Sequence, residues 1–375
     1  MDGLRAIAVL AVFIFHLDHR WLLGGFVGVD VFFVISGYLI TSIILKQCRA
    51  GTFSLLEFYQ RRIARIFPAF FTVAVATLLG AAVVYTPQDL ASAGANFVAA
   101  ALSVANLKFM LQGNYFELSP DAQPFLHFWS LAVEEQFYLL FPWLFLLLHQ
   151  RTPRHLPLVL WILTLGSLAT CLIITPAKPG WAFYLLPTRA WELGAGCLVA
   201  VLAATPAEAD GSSRWRAWLP AVGLILIAVS FLIVPAGPQF PGAWAMLPVA
   251  GAVAVILPCS ASSILATTAL SSRPLVLLGR MSYSLYLWHW SVFSLVDYQL
   301  YLASEPVRLL LKISLSFFAA ILSFVLIENP ARRFLNQRKM RGFFFACLGC
   351  SCCLYSSGNL HPESQLYQRR GCRCR

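Results

Sequence analysis

Two ionisable residues, Arg5 and His16, lie eleven positions apart in the first apolar segment of the sequence. Eleven residues make about three helical turns, so both side chains would project from one face, roughly 16 Å apart along the axis. An imidazole can act as a general base or carry a transferred group. The pair therefore predicts acid–base chemistry, and a packed, hydrogen-bonded histidine is the alternative.

Acidic residues occupy two further apolar segments. Asp30 opens GGFVGVDVFFVISGYLIT, and Glu134 and Glu135 lie with Trp129 and Tyr138 in FWSLAVEEQFYLLFPW. A carboxylate beside an imidazole orients the ring and raises its basicity. Counting from the segment ends places Asp30 and Glu134 at the depth of the histidine, with Glu134 roughly 9 Å below the outer boundary. We expect one of them to orient the ring; a helix N-cap is the alternative for the aspartate.

Polar residues also interrupt two later segments. Arg189 and Glu192, in PTRAWELGAG, share a helical face at i, i+3, which favours a structural ion pair. Tyr286 and His289, in MSYSLYLWHW, form a polar stripe with Ser282 at i, i+4 and i+7. An aromatic belt at the membrane surface is the alternative, but we expect His289 to lie too deep for it.

Three arginines, Arg61, Arg62 and Arg65, precede the third apolar segment in FYQRRIARIFPAF. Arg62 and Arg65 would share a helical face at i, i+3. Because guanidinium groups match phosphate oxygens, this pair predicts a phosphate clamp. Ordinary anchoring by basic residues at the cytoplasmic membrane surface is the alternative.

The elements that must position these residues are membrane helices. Of 375 residues, 59% are hydrophobic and only 11% are charged, and the mean hydropathy is +0.74. Soluble domains carry about 25% charged residues. This composition excludes a soluble globular protein, a disordered chain and a nucleic-acid-binding domain. The net charge of +11 is typical of basic residues gathered in cytoplasmic loops.

Ten apolar runs predict an all-α transmembrane bundle of ten spans. The first run has no cleavage site after it, so we expect it to be retained as a span. The long connection 86–127 is predicted to hold a short helix at 88–106. The runs lie near 4–22, 28–45, 67–85, 128–148, 156–174, 187–204, 218–235, 243–259, 281–301 and 306–327.

Basic residues predict how the bundle is oriented. With a cytoplasmic N-terminus, the cytoplasmic loops hold sixteen Lys and Arg residues and the opposite loops hold three. This asymmetry places both termini in the cytoplasm and the 86–127 connection outside.

The last part of the chain differs from the rest. Residues 337–375 are rich in Cys and Arg and have no apolar periodicity, so we expect a disordered or aberrant tail after a membrane domain at 1–336. No metal site is expected, because no paired C-x-x-C spacing with histidine recurs.

Taken in order, these segments resemble the acyltransferase-3 family of bacterial membrane O-acyltransferases, which act on surface polysaccharides. The resemblance covers about residues 2–336 and implies ten helices in the bacterial cytoplasmic (inner) membrane. It also implies O-acetylation, the transfer of an acetyl or other acyl group from cytoplasmic acyl-coenzyme A. The acceptor would be a hydroxyl of a cell-surface carbohydrate, lipopolysaccharide included, or of its lipid-linked precursor. The segments are DGLRAIAVLAVFIFH, GGFVGVDVFFVISGYLIT, FYQRRIARIFPAF, FWSLAVEEQFYLLFP, PTRAWELGAG, SYSLYLWHW and IENPARRF.

The resemblance gives two motifs a role. The family's arginine–ten residues–histidine motif falls on Arg5 and His16, and its Arg-x-x-Arg motif falls on Arg62 and Arg65. We expect the second pair, next to Arg61, to hold the phosphates of acetyl-coenzyme A, and the histidine to act as base or acyl carrier.

The remaining polar residues would support this reaction. Candidate oxyanion donors are Arg5, Tyr286 and His289, with none favoured by spacing. The supporting polar cluster comprises Glu135, Trp129, Tyr138, Arg189, Glu192, Tyr286 and His289.

The expected partners are the lipid bilayer, acyl-coenzyme A, a surface or lipid-linked glycan and glycan-assembly proteins. No permanently bound cofactor and no nucleic acid are expected. Two other functions fit the same spans and buried charges. One is a transporter of polysaccharide or lipid-linked sugar, and the other is an inactive structural partner of a glycan-assembly complex.

Overall fold

A computed structural model describes residues 1–117, 122–204, 215–257 and 268–335, and within these ranges the chain forms helices and no strands. A helix is present at each of the ten apolar runs, which confirms the all-α bundle; the tail at 337–375 lies outside the described residues. The α-helices are α1 (Asp2–Leu17), α2 (Gly28–Arg49), α3 (Leu55–Val84), α4 (Pro87–Ala101), α5 (Ala105–Gln112), α6 (Phe128–Arg151), α7 (Leu156–Ala177), α8 (Pro179–Tyr184), α9 (Leu186–Ala204), α10 (Trp215–Ile233), α11 (Met246–Ile256), α12 (Arg273–Gln299), α13 (Glu305–Ser323) and α14 (Asn329–Leu335).

Six helical segments among the described residues are long and apolar enough to cross a membrane. The one containing α2 is central, since 72% of the residues in its apolar stretch are buried, against 22% for the segment containing α13. A helix that is apolar on its exposed side faces lipid. The six segments are Gly25–Arg49, Leu55–Val84, Phe128–Arg151, Pro153–Ala177, Pro179–Ala204 and Glu305–Leu335.

Glycines allow α2 and α9 to pack closely. A Cβ atom at Gly37 on α2 would overlap the carbonyl oxygen of Leu193, and one at Gly196 on α9 would overlap that of Val34. Small residues at such contacts let helix backbones approach each other in membrane proteins. The contact holds the start of α2 against the start of α9, where their buried charges meet.

A second extended contact joins α1 to α12. Here too a glycine lies at the crossing, because a Cβ atom at Gly279 would overlap the carbonyl oxygen of Asp2. The two helices then run side by side, so His16 in the last turn of α1 meets His289 in the interior of α12.

Helix α3 begins twelve residues earlier than the apolar run at 67–85 predicted. Ser54 caps it by accepting a hydrogen bond from the backbone N–H of Glu57 at 3.4 Å, as serine commonly does at a helix N-cap. The three arginines therefore lie on the helix and not in a loop before it. The prediction failed because their charges hid the apolar face of these turns.

The long connection 86–127 lies against the bundle. The short helix predicted at 88–106 is present as two helices, α4 and α5, broken at Ser103, whose φ is 56°. Helix α4 contacts α3 and α6, and α5 contacts α6 and α8. A 3-10 turn, Tyr115–Glu117, follows.

A π-helical segment, Phe324–Glu328, joins α13 to α14. Glu328, at its end, is buried and accepts a hydrogen bond from the hydroxyl of Ser284 on α12 at 2.7 Å. Such wide turns usually reflect one residue more than an α-helix would hold. This one turns the glutamate inward and sets the direction of α14.

Candidate active site

Four cavities follow one another through the bundle, and neighbouring cavities share lining residues. Arg62 and Arg65 line both the first cavity and the second. Tyr286 lines the second and the third. His16 and Tyr115 line the third and the fourth. We call these the mouth, the arginine cavity, the central cavity and the outer cavity.

The mouth is strongly basic. None of its lining residues is acidic among the parts of the chain that the structure describes. The guanidinium of Arg62 lies over the rings of Tyr138 and Phe58, with its Cζ 5.0 and 5.7 Å from their centroids. These contacts hold the arginine at the passage from the mouth into the arginine cavity. The cations of the mouth are Lys46, Arg61, Arg62, Arg65 and Arg332.

Arg61 differs from its two neighbours. Its Nη2 lies 2.8 Å from Oε2 of Glu57, one turn earlier on α3, and its side chain is 44% exposed. It lines the mouth but not the arginine cavity. Of the three arginines, Arg62 and Arg65, the two that share a helical face, line both the mouth and the arginine cavity.

The arginine cavity brings the predicted acids into the same cavity as Arg62 and Arg65. Glu134 and Glu135 both line it, together with Arg5 and Tyr138. The hydroxyl of Ser36 donates to Glu134, and that of Ser103 donates to Glu135. Sequence reasoning overlooked both serines.

Glu134 does not lie at the level of His16, so that expectation is wrong. The count of residues assumed that α6 begins at the membrane boundary. Its N-cap residue, His127, and its first residue, Phe128, are instead buried at 1% exposure each. The helix starts inside the protein, and Glu134 faces the arginine cavity.

At the other end of the path, histidine rings are in contact. Nδ1 of His16 lies 3.1 Å from Nε2 of His289, and the two rings stack with centroids 5.2 Å apart. Nε2 of His16 lies 3.0 Å from the hydroxyl of Tyr115. The ring of Trp290 meets His16 edge-on at 4.6 Å. The deep polar stripe predicted on α12 therefore reaches the first-helix histidine directly.

A third buried histidine, His127, completes this cluster. Its Nε2 lies 3.0 Å from the carbonyl oxygen of Leu287, and its ring centroid lies 5.8 Å from that of His289. The hydroxyl of Tyr286 donates to the carbonyl of His127 at 3.1 Å and lies 2.6 Å from the hydroxyl of Ser130. We call His16, His127 and His289 the histidine cluster.

Asp30 has a partner other than the one expected. Its Oδ1 lies 3.0 Å from Nη2 of Arg189, whose Nη1 lies 2.8 Å from Oε1 of Glu192. All three side chains are 1% exposed or less. The expectation that Asp30 or Glu134 orients the ring of His16 is therefore wrong, because the arginine, with the stronger demand for a buried counter-charge, holds the aspartate.

Aromatic rings close around this ion triad. The guanidinium carbon of Arg189 lies between 5.5 and 5.8 Å from four ring centroids. Trp129, one of the predicted supporting residues, is among them and also packs against Tyr115. The rings belong to Phe33, Trp129, Phe183 and Phe240.

Sequence comparison identifies the protein family. The family described as acyltransferase domain matches residues 1–328 of the chain. The chain belongs to the acyltransferase domain family.

Individual proteins are also similar to the chain. The O-acetyltransferase OatA of Staphylococcus aureus (strain NCTC 8325 / PS 47) is 35% identical over 344 residues, which cover 89% of the chain and 57% of the relative. The peptidoglycan O-acetyltransferase OatA of Listeria monocytogenes serovar 1/2a is 33% identical over 355 residues, which cover 90% and 57%. The chain thus spans a little over half the length of these relatives. No solved structure matches.

In this acyltransferase domain, several site residues gave little or no signal in the sequence. Tyr115 lies in a connection without apolar periodicity, and nothing local marks it. His127 directly precedes the FWS of α6. A histidine at the edge of an apolar run could have indicated a site residue. Arg332 lies in the IENPARRF segment, where it is one of the basic residues that the charge asymmetry predicts to be cytoplasmic.

Proposed function

We propose that this domain transfers an acetyl or other acyl group from acyl-coenzyme A to a carbohydrate hydroxyl at the surface of a bacterial cytoplasmic membrane. The succession of cavities from the arginine clamp to the histidine cluster carries the proposal. The Listeria relative is named for peptidoglycan, which favours a cell-wall glycan or its lipid-linked precursor over lipopolysaccharide as the acceptor.

The donor would bind at the mouth. Coenzyme A carries three phosphates at one end and a thin, mostly uncharged arm with the thioester at the other. A mouth lined by five cations and no described acid suits the phosphates. The arm then has a path through the arginine cavity, past Arg5 and Glu134, toward Tyr286.

The chemistry would take place at His16, which lies between the central and outer cavities. Its Nε2 takes the proton of the acceptor hydroxyl as the oxygen attacks the acyl carbon. The carbon–sulfur bond then breaks, and the leaving thiolate takes that proton back from His16. Of the three candidate oxyanion donors, Tyr286 lines both the arginine and the central cavity, whereas Arg5 lines only the arginine cavity, so Tyr286 is the candidate nearer to the reaction.

The same path fixes an orientation. If the mouth binds cytoplasmic coenzyme A, then both termini lie in the cytoplasm and the 86–127 connection faces outward, as the charge asymmetry predicts. Reporter fusions after residue 110 test this directly. A reporter that is active in the cytoplasm at that position would contradict the orientation.

The function is tested with the purified full chain in lipid nanodiscs. Acetyl-coenzyme A labelled in the acetyl group should bind and lose its label to water or to an added peptidoglycan fragment. Variants Arg62→Ala and Arg65→Ala should weaken donor binding. A chain that is folded, binds no acetyl-coenzyme A and leaves the label untouched would overturn the proposal and return the transporter to consideration.

A further inference from the structure

The hydrogen-bond partners of the histidine cluster determine where its protons are. Nδ1 of His289 lies 2.5 Å from the carbonyl oxygen of Tyr286. A carbonyl oxygen can only accept, so Nδ1 of His289 must carry hydrogen. In a neutral ring, the other nitrogen, Nε2, then carries a lone pair and can only accept.

His16 must adapt to that arrangement. Its Nδ1 lies 3.1 Å from Nε2 of His289, and a hydrogen bond between two neutral rings needs one donor. His16 therefore donates from Nδ1, which leaves the lone pair on its Nε2. The hydroxyl of Tyr115, 3.0 Å from that nitrogen, is the donor that meets it.

We propose that His289 is a positioning residue that fixes the proton of His16 on Nδ1, and that the hydroxyl of Tyr115 occupies the place of the acceptor hydroxyl. The inference rests on the proposed function and assigns the two contacts of its base. Nucleophile, base and orienting group form a chain of the kind found in hydrolytic triads, with a histidine in place of the usual carboxylate.

A neutral orienting group suits this position. The carboxylate that lines the central cavity belongs to Asp30, and it is held by Arg189, which also pairs with Glu192. A free carboxylate beside His16 would need a further buried cation, and isolated charges in a bilayer are costly. His289 is 1% exposed and is held by a backbone carbonyl, so it can orient the ring of His16 without adding a net charge.

Tyr115 is placed where a substrate hydroxyl would arrive. It lies on the short 3-10 turn Tyr115–Glu117 and lines the outer cavity beside His16 and Trp290. The outer cavity is the largest of the four. An acceptor entering from it would have to displace the tyrosine hydroxyl before its own hydroxyl could meet Nε2 of His16.

The first test measures the tautomer itself. The full chain is labelled with ¹⁵N-histidine in nanodiscs, and the His16 signals are assigned by their loss in His16→Gln. We expect hydrogen on Nδ1 of His16 in the unaltered protein and a mixture of tautomers in His289→Ala. Hydrogen on Nε2 in the unaltered protein overturns the proposal, whether or not the protein transfers acetyl groups.

The second test separates positioning from packing. His289→Ala should lower kcat on the order of 10²- to 10⁴-fold without changing the Kd of coenzyme A, and His289→Gln, whose amide oxygen can still accept from His16, should recover part of it. His127→Gln is the matched control, since this histidine is equally buried and its described hydrogen bond goes to Leu287. Equal losses in His289→Gln and His289→Ala, or a loss in His127→Gln as large as in His289→Ala, contradict positioning.

The third test concerns the tyrosine. Tyr115→Phe removes only the hydroxyl, so it should keep kcat within a few-fold and lower KM for the glycan acceptor. Loss of kcat by 100-fold or more would make Tyr115 a reacting group and contradict its role as a placeholder. If none of the folded variants or the unaltered chain transfers acetyl groups, the proposed function fails, whereas the tautomer measurement still decides the inference.

Discussion

The arginine cavity and the histidine cluster both contain ionisable side chains, but they are built differently. The cavity is lined by three long arginine side chains and two glutamates. In the cluster, rings touch, and both ring nitrogens of His16 and of His289 have a partner within 3.1 Å. Charged side chains around a cavity suit the capture of a charged ligand, whereas fixed contacts suit a reaction that needs defined geometry.

One helix links the two regions. Helix α1 carries Arg5 into the arginine cavity and His16 into the histidine cluster. Because a helix of this length is rigid, it fixes the distance between the two regions that a spanning substrate would contact. Changes at the two ends should therefore affect different steps, and variants can test whether they do.

The largest effect is expected from His16→Ala. Acyl transfer should fall on the order of 10²- to 10⁴-fold because the base is lost, while the Kd of acetyl-coenzyme A should stay unchanged. Single-turnover kinetics and equilibrium binding measure the two quantities. His155→Ala, an exposed histidine between α6 and α7, is the control. A His16→Ala protein that still transfers at nearly the original rate would assign the reaction elsewhere.

The opposite pattern is expected from Arg62→Ala and Arg65→Ala. Each should weaken donor binding roughly ten- to hundredfold, the range for a hydrogen bond to a charged group, and single-turnover rates at saturating donor should change little. Lys should restore part of the affinity, since it supplies charge without the fork. Unchanged donor affinity in the double variant would mean that the pair only anchors the helix.

Stability, and not turnover, should respond to the ion triad. Arg189→Met leaves Asp30 and Glu192 buried without a counter-charge, which should cost about 3–5 kcal/mol. Thermal unfolding followed by size-exclusion chromatography measures it. Adding Asp30→Asn and Glu192→Gln should recover part of the loss. If the folded fraction of Asp30→Asn turned over far more slowly than the unaltered protein, the triad would belong to the reaction as well.

The smallest effect is expected from Arg61→Ala. Its ion pair with Glu57 lies at the surface, where such pairs contribute about 0.5 kcal/mol or less. Donor affinity should fall by no more than a few-fold, measured in the same binding assay as Arg62→Ala. A loss equal to that of Arg62→Ala would extend the clamp to all three arginines.

The sequence predicted the helices well because lipid imposes long apolar runs, and these can be counted. It predicted the start of α3 badly, since Arg61, Arg62 and Arg65 dilute the apolar pattern of turns that are nonetheless helical. Depth was also misjudged for Glu134, because hydropathy does not show that α6 begins at a buried histidine.

Partners were harder to predict than positions. His16 and His289 are 273 residues apart, and no local pattern states that α1 and α12 lie side by side. Asp30 was assigned to the histidine on depth alone, whereas competition with Arg189 decided its contact. Such choices depend on which of several buried charges lies nearest, and a single sequence does not contain that distance.

Because the π-helical segment Phe324–Glu328 joins α13 to α14, the number of residues in this segment matters as much as their types. Each residue turns an α-helix by about 100°. Loss of a single codon within the segment keeps the reading frame and removes one amino acid, which would leave a continuous, equally apolar helix. Everything after the deletion would rotate by that angle, carrying Glu328 away from Ser284 and Arg332 away from the mouth. Substitutions at these lipid-facing positions should therefore disturb the structure little, whereas insertions and deletions should disturb it strongly. The spacing between α13 and α14 is expected to change more slowly in evolution than the residues that fill it.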